Sequence, residues 1–285
     1  MKNFMLVSNS GKNGSMRNSE RIREILERNG CRCTADQFTK ALGEGKYLYV
    51  DPNCVPEDTE AVLVLGGDGT FIHSAKDIID LGLPVFGINN GNLGYLTEVD
   101  IDGFEDSLKK IIAGDYYFED HITLECTVTT KDGDRVLGQG LVFNDISLNR
   151  YLTTGIANFD IYINGIYLNS YDADGVLIAT PLGSTGYNLS AGGPLVMPTA
   201  DIVLVTPICA HTLNSRSIVF PADVTIDIIT NPAGLPRMSC LICDGEKMLD
   251  LSGYEKITIK ESKKVIKTLK TSNIGFVENL GVKLR

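Results

Sequence analysis

The sequence predicts two architectures in one chain: an N-terminal Rossmann-like parallel α/β domain, then a β-rich, β-sandwich-like domain. Three observations carry this. The wholly apolar runs at 61–65 and 84–88 read as strands buried on both faces. Stretches with apolar residues at helical spacing lie between and after them. Beyond Gly114 the long helical periods stop, and short alternating runs separated by turn signals take over.

Residues 4–8 form the first strand. The loop Ser10-Gly11-Lys12-Asn13-Gly14-Ser15 lacks the order of a phosphate-binding P-loop, because its lysine does not follow the second glycine. Asn18 or Ser19 is predicted to cap a helix that runs to about Asn29. Ile22, Ile25 and Leu26 share one of its faces and Gly30 stops it. The second strand, 61–65, leads into a helix at 70–81 with Phe71, Ala75, Ile78 and Ile79 turned inward. A third strand at 84–88 opens a glycine-rich loop at 89–96, and 102–113 is an amphipathic helix. This alternation places helices on both faces of a parallel sheet.

In the second part, strands are expected at 123–130 and 136–148 around the turn Lys131-Asp132-Gly133-Asp134. A hairpin spans 156–168, because Asn164-Gly165 is a strong two-residue turn signal. Further strands are expected at 176–179, 202–205, 217–220, 224–230, 238–243 and 257–260. The tail 273–284 has helical spacing (Ile274, Phe276, Val277, Leu280) and is expected to return to the first domain. The domains are therefore drawn as 1–115 with about 263–285, and 116–262.

Composition narrows the function. The net charge is −10, and the chain offers no basic footprint for nucleic acid. No apolar run approaches the roughly 18–20 residues of a membrane span. Seven scattered cysteines suit reduced thiols, and Cys240-Leu241-Ile242-Cys243 lies in an apolar strand without zinc-site spacing. A soluble, cytoplasmic protein is expected.

Three stretches carry chemistry. In Leu65-Gly66-Gly67-Asp68-Gly69-Thr70, glycines follow a buried strand and permit positive φ or close approach of a ligand. The amides of the helix that follows can hold a phosphate. Asp68 contradicts a pure anion cradle, since a bare carboxylate repels phosphate. Either a divalent cation lies between them, or Asp68 takes the proton of an attacking hydroxyl, as in phosphoryl transfer. The run 174–194 (DGVLIATPLGSTGYNLSAGGP) presents Ser184, Thr185, Tyr187 and Ser190 as hydroxyls for a sugar or phosphate. Asn144-Asp145 pairs an amide with a carboxylate, suited to a ribose diol or an adenine edge, though, taken alone, the pair is better accounted for by a plain strand-end turn.

Taken together, GGDGT, the loop Gly87-Ile88-Asn89-Asn90-Gly91-Asn92-Leu93-Gly94-Tyr95-Leu96-Thr97-Glu98, Asn144-Asp145 and the 174–194 run resemble the NAD kinase family. The stretch 206–213 and Asp244-Gly245 also fit that pattern. GGDGT by itself is shared with diacylglycerol and sphingosine kinases and, loosely, with phosphofructokinases; the 174–194 run is far more specific. The resemblance implies transfer of the γ-phosphate of ATP, or of polyphosphate, to the 2′-hydroxyl of the adenosine ribose of NAD, with a divalent metal, usually Mg²⁺. It implies Asp68 as general base and Gly66, Gly67, Gly69 and Thr70 as the phosphate turn, with His73 where a basic residue often stands near the phosphates. Asn89 and Tyr95 would line the NAD cleft, with Asp68 and Gly69 beside them. Asn144 and Asp145 would hold adenine or ribose groups, and Asp174 the nicotinamide side. Thr185, Gly186, Tyr187, Asn188 and Ser190 would wrap the adenosine half. No residue is assigned as a direct metal ligand. A homo-oligomer, dimer or tetramer, is implied, its cleft completed by a neighbouring subunit.

The chain departs from the family's usual pattern at four positions. Asp145 stands for a usual Glu, Gly186 for Ala, Leu182 for a small or hydroxyl residue, and Asn92 for a basic one. These touch substrate contacts and leave the base intact. Two alternatives stay open: a lipid or sugar kinase sharing only the GGDGT turn, and a non-catalytic NAD(P)-binding sensor.

Overall fold

The computed structural model describes residues 1–8, 15–36, 40–43, 46–91, 94–130, 132–151, 156–211, 215–231, 239–272, 276–277 and 280–281. The chain divides into two compact units, Met1–Asp120 with Ile266–Arg285, and His121–Val265.

In the first unit β1 (Asn3–Ser8) leads to α1 (Ser15–Arg28), β2 (Arg32–Asp36), the short pair β3 (Lys40–Gly43) and β4 (Lys46–Leu48), and β5 (Ala61–Gly66). Then come α2 (Asp68–Asp77), β6 (Val85–Asn89), β7 (Val99–Asp100) and α3 (Phe104–Ala113). The central strands run β2-β1-β5-β6, all parallel, and the end of the last strand of the chain pairs with β6 at Thr268↔Val85. One face of the sheet, Phe4, Leu6, Leu63, Leu65, Phe86 and Ile88, packs on Ile22, Ile25 and Leu26 of α1 and on Phe104, Leu108 and Ile111 of α3. Side chains alternate along a strand, so Gly87 points to the opposite face. There an added Cβ would lie 3.0 Å from the Phe71 ring of α2. Helices therefore cover both faces, and the apolar runs are buried throughout because neither face meets water.

The second unit is built from strands. They are β8 (Tyr117–Thr129), β9 (Val136–Val142), β10 (Asp145–Arg150), β11 (Ala157–Ile163), β12 (Ile166–Ala173) and β13 (Gly175–Ala179), then α4 (Tyr187–Ser190). After it come β14 (Ile202–Ile208), β15 (Ile218–Pro221), β16 (Ile226–Asn231), β17 (Ser239–Cys243), β18 (Glu246–Leu251) and β19 (Lys256–Lys270). One antiparallel sheet has the order β15-β14-β13-β10-β17-β18; the other contains β12-β11-β16-β19, with β8 joining β19 to β9. Ile146, Val176, Val205 and Leu241 of the first share one core with Leu124, Phe159, Ile228 and Ile257 of the second, which makes a β-sandwich. Asn164 and Gly165, at φ +51° and +77°, turn the β11–β12 hairpin as their sequence predicts.

Several boundaries differ from the sequence reading. The helix expected from Asn18 or Ser19 begins at Ser15. The helix expected at 70–81 begins at Asp68 and ends at Asp77, with a separate tight turn at Ile79–Leu81. The strand expected at 136–148 is two strands, broken at Phe143-Asn144. The strand expected at 257–260 runs on to Lys270. β2, β3, β4, β7 and β18 were not foreseen. Of the expected C-terminal helix, 276–277 and 280–281 are helical, and the rest lies outside the described residues.

Candidate functional site

In the first unit the predicted residues gather where β5 and β6 end. Register places Gly66 beside Asn89, a buried side chain that closes β6. Gly67 precedes α2 in extended conformation, and the first helical bond runs from the Phe71 N–H to the Gly67 carbonyl at 3.0 Å. The amides of Asp68, Gly69 and Thr70 thus have no partner within the helix, the usual basis of an anion site. None of Gly66, Gly67 and Gly69 has positive φ, so the expected left-handed turn is absent. Gly66 serves a spatial need instead: a Cβ there would lie 2.6 Å from the Thr70 Cβ, and Thr70 is buried against it. Gly69 is exposed, with open space where a Cβ would stand.

Asp68 is half-buried and firmly held. Its carboxylate accepts the Tyr95 N–H at 2.9 Å and the Leu96 N–H at 3.2 Å. It therefore ties the start of α2 to the loop after β6. The approach is possible because residue 94 is glycine: a Cβ there would lie 1.8 Å from Asp68 Oδ1. Gly94 is a position whose lack of a side chain the sequence reading did not use; it stood in the quoted loop with no role attached. Asn90 of the same loop accepts from the Asn18 side chain of α1 at 2.7 Å.

His73 lies one turn further along α2 and stacks on the Tyr49 ring, with centroids 4.9 Å apart and planes 7° from parallel. Asp77 completes this brace by accepting the Tyr49 and Val50 N–H groups at 2.6 and 2.9 Å. Burial raises the Asp77 carboxyl above its ordinary value, and those two amides partly oppose the rise.

In the second unit Asn144 and Asp145 lie at the break between β9 and β10. The Phe143 N–H reaches both oxygens of Asp244 (3.0 and 3.1 Å), and the Asn144 N–H reaches Oδ1 at 2.7 Å. Opposite them, Thr180 donates its hydroxyl to the Phe143 carbonyl (2.6 Å) and its N–H to the Asn144 carbonyl (2.9 Å). Asp145 is buried, and its carboxyl is pushed up to about 7, first by desolvation and then by the Asp244 charge, against the Tyr187 N–H that it accepts. The loop at Gly186 closes over the pair: a Cβ there would lie 3.6 Å from Asp145 Oδ2 and 3.9 Å from Asn144 Nδ2. Among the described residues, Asn144 Oδ1 is buried without a hydrogen-bond partner.

Tyr187 opens α4 and is 41% exposed. Burial raises the pKa of its hydroxyl, and the nearby Cys209, Asp145 and Asp174 add to the rise. Asp174 is ion-paired with Arg150, Nε to Oδ1 at 2.7 Å, a partner that the sequence reading did not name. The Thr185 hydroxyl donates to the Leu182 carbonyl at 3.2 Å, and Ser190 is exposed at the end of α4. Asn188 turns the other way. It is wholly buried, accepts the Thr206 hydroxyl at 2.7 Å and donates to the Pro194 carbonyl at 3.0 Å. Its amide is used by the protein, because Gly193 lets it pack where a Cβ would lie 2.1 Å away.

The comparisons with known proteins address the chain as a whole. Residues 4–116 match the model of the ATP-NAD kinase N-terminal domain, and 143–271 that of the C-terminal domain. An NAD kinase of Lachnospira eligens is 36% identical over all of both chains, and one of Lachnoclostridium phytofermentans is 34% identical over 99% of each. Among solved structures, the fold is similar to yeast NADH kinase complexed with NADH, with TM-score 0.82, 24% identity, and coverage of 100% of this chain and 87% of that one. It is also similar to an NAD kinase from Archaeoglobus fulgidus in complex with ATP, with TM-score 0.73, 24% identity, and coverage of 99% and 98%. The full-length identity to these relatives, with both family models matched in order, shows that the chain belongs to the NAD kinase family.

Proposed function

We propose that this protein transfers the γ-phosphate of ATP to the 2′-hydroxyl of the adenosine ribose of NAD, giving NADP and ADP, with Asp68 as the general base. The observation that carries the reading is the way Asp68 is held. Two consecutive amides and a glycine shaped to its carboxylate fix it at the first turn of α2, beside amides suited to phosphate. Asp68 takes the 2′-hydroxyl proton as that oxygen attacks the γ-phosphorus, and the bond to the β-phosphate oxygen breaks. Gly67, Gly69 and Thr70 supply the phosphate turn, with Gly66 giving Thr70 its place. His73, stacked on Tyr49, borders it one turn away.

Asn144 and Asp145 bind the nucleoside, with Thr185, Gly186, Tyr187 and Ser190 around it. Asp174, its charge matched by Arg150, serves the nicotinamide side. Asn89 and Tyr95 form the NAD wall next to Asp68. Asn188 is assigned a scaffold role, on its buried and occupied amide.

Among the described residues no three His, Cys, Asp or Glu side chains come together to hold a metal. Asp68 is the carboxylate of the turn that would face Mg²⁺ carried by the nucleotide. Bound there, the ion would offset the charge of the β- and γ-phosphates. The protein is assigned to the cytoplasm as a homo-oligomer, dimer or tetramer, which light scattering tests.

Purified protein given NAD, ATP and Mg²⁺ should form NADP. Asp68→Asn should lower kcat by ~10²–10⁴-fold with NAD binding retained. Near-normal turnover by Asp68→Asn would remove the base assignment. Phosphorylation of sphingosine, diacylglycerol or fructose 6-phosphate in place of NAD would favour the shared-turn alternative. Thermal stabilisation by NADP without product would favour the sensor.

A further inference from the structure

Asp244 belongs to none of the roles assigned above, yet it organises the bend that carries Asn144 and Asp145. The residues from 136 to 148 have the pattern of one continuous strand, and nothing local breaks it: Phe143 is apolar and fully buried. The break comes from a carboxylate a hundred positions away. Asp244 and Gly245, at φ +49° and +80°, form the two-residue turn joining β17 to β18, where Cys243 pairs with Glu246. Asp-Gly is suited to a turn that needs positive φ at both positions. The turn projects the Asp244 carboxylate onto the N–H groups of Phe143 and Asn144, which are therefore withdrawn from the sheet ladder. The Asp244 N–H donates to the Asp145 carbonyl at 2.9 Å and starts the regular pairing of β10 at once.

The carbonyl side of the bend is closed as well. Thr180 occupies both carbonyls through its hydroxyl and its N–H. Residue 183 must be glycine here, because a Cβ would lie 2.1 Å from the Asn144 carbonyl oxygen. Every main-chain polar group of Phe143 and Asn144 is thus engaged by the protein. What remains is a side-chain atom: Asn144 Oδ1, buried and without a partner among the described residues, on an amide whose Nδ2 lies, like Asp145 Oδ2, close to Gly186. A buried amide oxygen left open costs stability unless something donates to it. An exocyclic amine or a ribose hydroxyl has that chemistry.

We propose that Asp244 is a positioning residue for the nucleoside of NAD, holding the Phe143–Asn144 bend so that Asn144 and Asp145 meet the ligand together. This rests on the reading that the pair contacts that nucleoside. Asp244 also acts through charge. The groups that act on Asp145 are Asp244 on the β17–β18 turn and Tyr187 on α4. Asp244 favours the protonated carboxyl and the Tyr187 N–H opposes it. Asp145 therefore changes charge near neutral pH, and NAD affinity changes with it.

The test is NAD binding to full-length protein by calorimetry from pH 5.5 to 8.5, with steady-state kinetics for both substrates. Asp244→Asn keeps an acceptor oxygen for the bend and removes the charge. It should weaken NAD binding by ~10-fold, the scale of a lost charge-assisted hydrogen bond. The kcat and the KM for ATP should stay within about twofold of the parent, and the pH midpoint of NAD affinity should move down, since the neighbouring charge that raised it is gone. Asp244→Ala should weaken NAD binding further; Asp244→Asn keeps the proposal testable where Asp244→Ala does not fold. Parent-like affinity with an unmoved midpoint overturns the proposal. So does equal loss for ATP and NAD, or weaker NAD binding with the midpoint unmoved, since a merely structural role would give those. Asp145→Asn separates the underlying reading: if it binds NAD as the parent does, the pair does not contact the nucleoside. If it weakens NAD while Asp244→Asn does not, only the positioning role fails.

Discussion

Gly94→Ala isolates the placement of Asp68 from its chemistry. The added methyl would stand 1.8 Å from Oδ1, 2.5 Å from Cγ and 2.8 Å from Oδ2 of Asp68. Ordinary carbon contacts lie near ~3.5 Å, so the carboxylate or the loop must move by more than about 1 Å. Asp68 cannot retreat freely, because it begins α2 and Phe71 and Ala75 behind it are buried. The movement therefore breaks the bonds to the Tyr95 and Leu96 amides, now 2.9 and 3.2 Å long. A displacement of about 1 Å at a reacting group can cost ~10²-fold in rate. The expected result is a kcat lower by ~10²–10³-fold, a KM for NAD within a few-fold, and a carboxylate still present. The assay is steady-state NADP formation beside Asp68→Asn and the double variant. Because both changes disable one group, the double variant should lose little more than Asp68→Asn alone. A Gly94→Ala enzyme within threefold of the parent, or fully additive losses, would refute the view that glycine is required for the base.

Two further predictions concern the second unit. The Asp145 carboxyl is raised from 3.8 to about 7, so the folded protein holds this proton more tightly than the unfolded chain does. Its ionisation therefore costs stability as pH rises from about 4 through 7, by up to ~4 kcal/mol at the top of that window. Asp145→Asn removes the ionisation. Its stability relative to the parent, from urea unfolding, should grow between pH 5 and pH 8 and level off above it; a difference independent of pH would contradict the assignment. Asn188→Ala strips partners from the Thr206 hydroxyl and the Pro194 carbonyl. It should cost ~1–3 kcal/mol and lower Tm by several degrees, with KM for NAD little changed. An unchanged Tm with NAD binding lost would restore Asn188 as a direct contact.

What could be read in the sequence was what a short window determines. The runs at 61–65 and 84–88 are apolar at every position, short and bounded by turn residues, the pattern of a strand covered on both faces. Asn164-Gly165 specified its hairpin because positive φ is needed at both positions. β2 (Arg32–Asp36) and β18 (Glu246–Leu251) escaped notice because their polar residues carry little periodicity, and neighbouring strands supply their pairing. Asp68 was legible as the candidate base, but the start of α2 was not: Gly-Asp-Gly has poor helix propensity, and the bonds that hold Asp68 there come from the distant Tyr95 and Leu96 amides. Asn188 reads as a ligand group because it stands in a polar loop. Its bonds to Thr206 and Pro194 could not be read there, since those residues become its neighbours only in the fold. The break at Phe143–Asn144 was invisible for the same reason, its cause lying at Asp244.

These long-range causes share one physical form, which also bears on how a chain of net charge −10 could receive phosphate-bearing substrates. Asp68 accepts the amides of Tyr95 and Leu96, Asp77 those of Tyr49 and Val50, and Asp244 those of Phe143 and Asn144. Glu98 takes Thr271 and Ser272 through one oxygen, and Glu255 takes Ser252 and Gly253. In each case one carboxylate satisfies two successive main-chain donors and pins a loop or strand end. Charge counted along the sequence therefore overstates the charge free to repel a phosphate, since these carboxylates are solvated by oriented N–H dipoles. The same device fixes both the proposed base and the bend beneath the nucleoside pair. Replacing any of these carboxylates would release two amides at once, so an acidic side chain in this protein is read better from the amides it faces than from its sign.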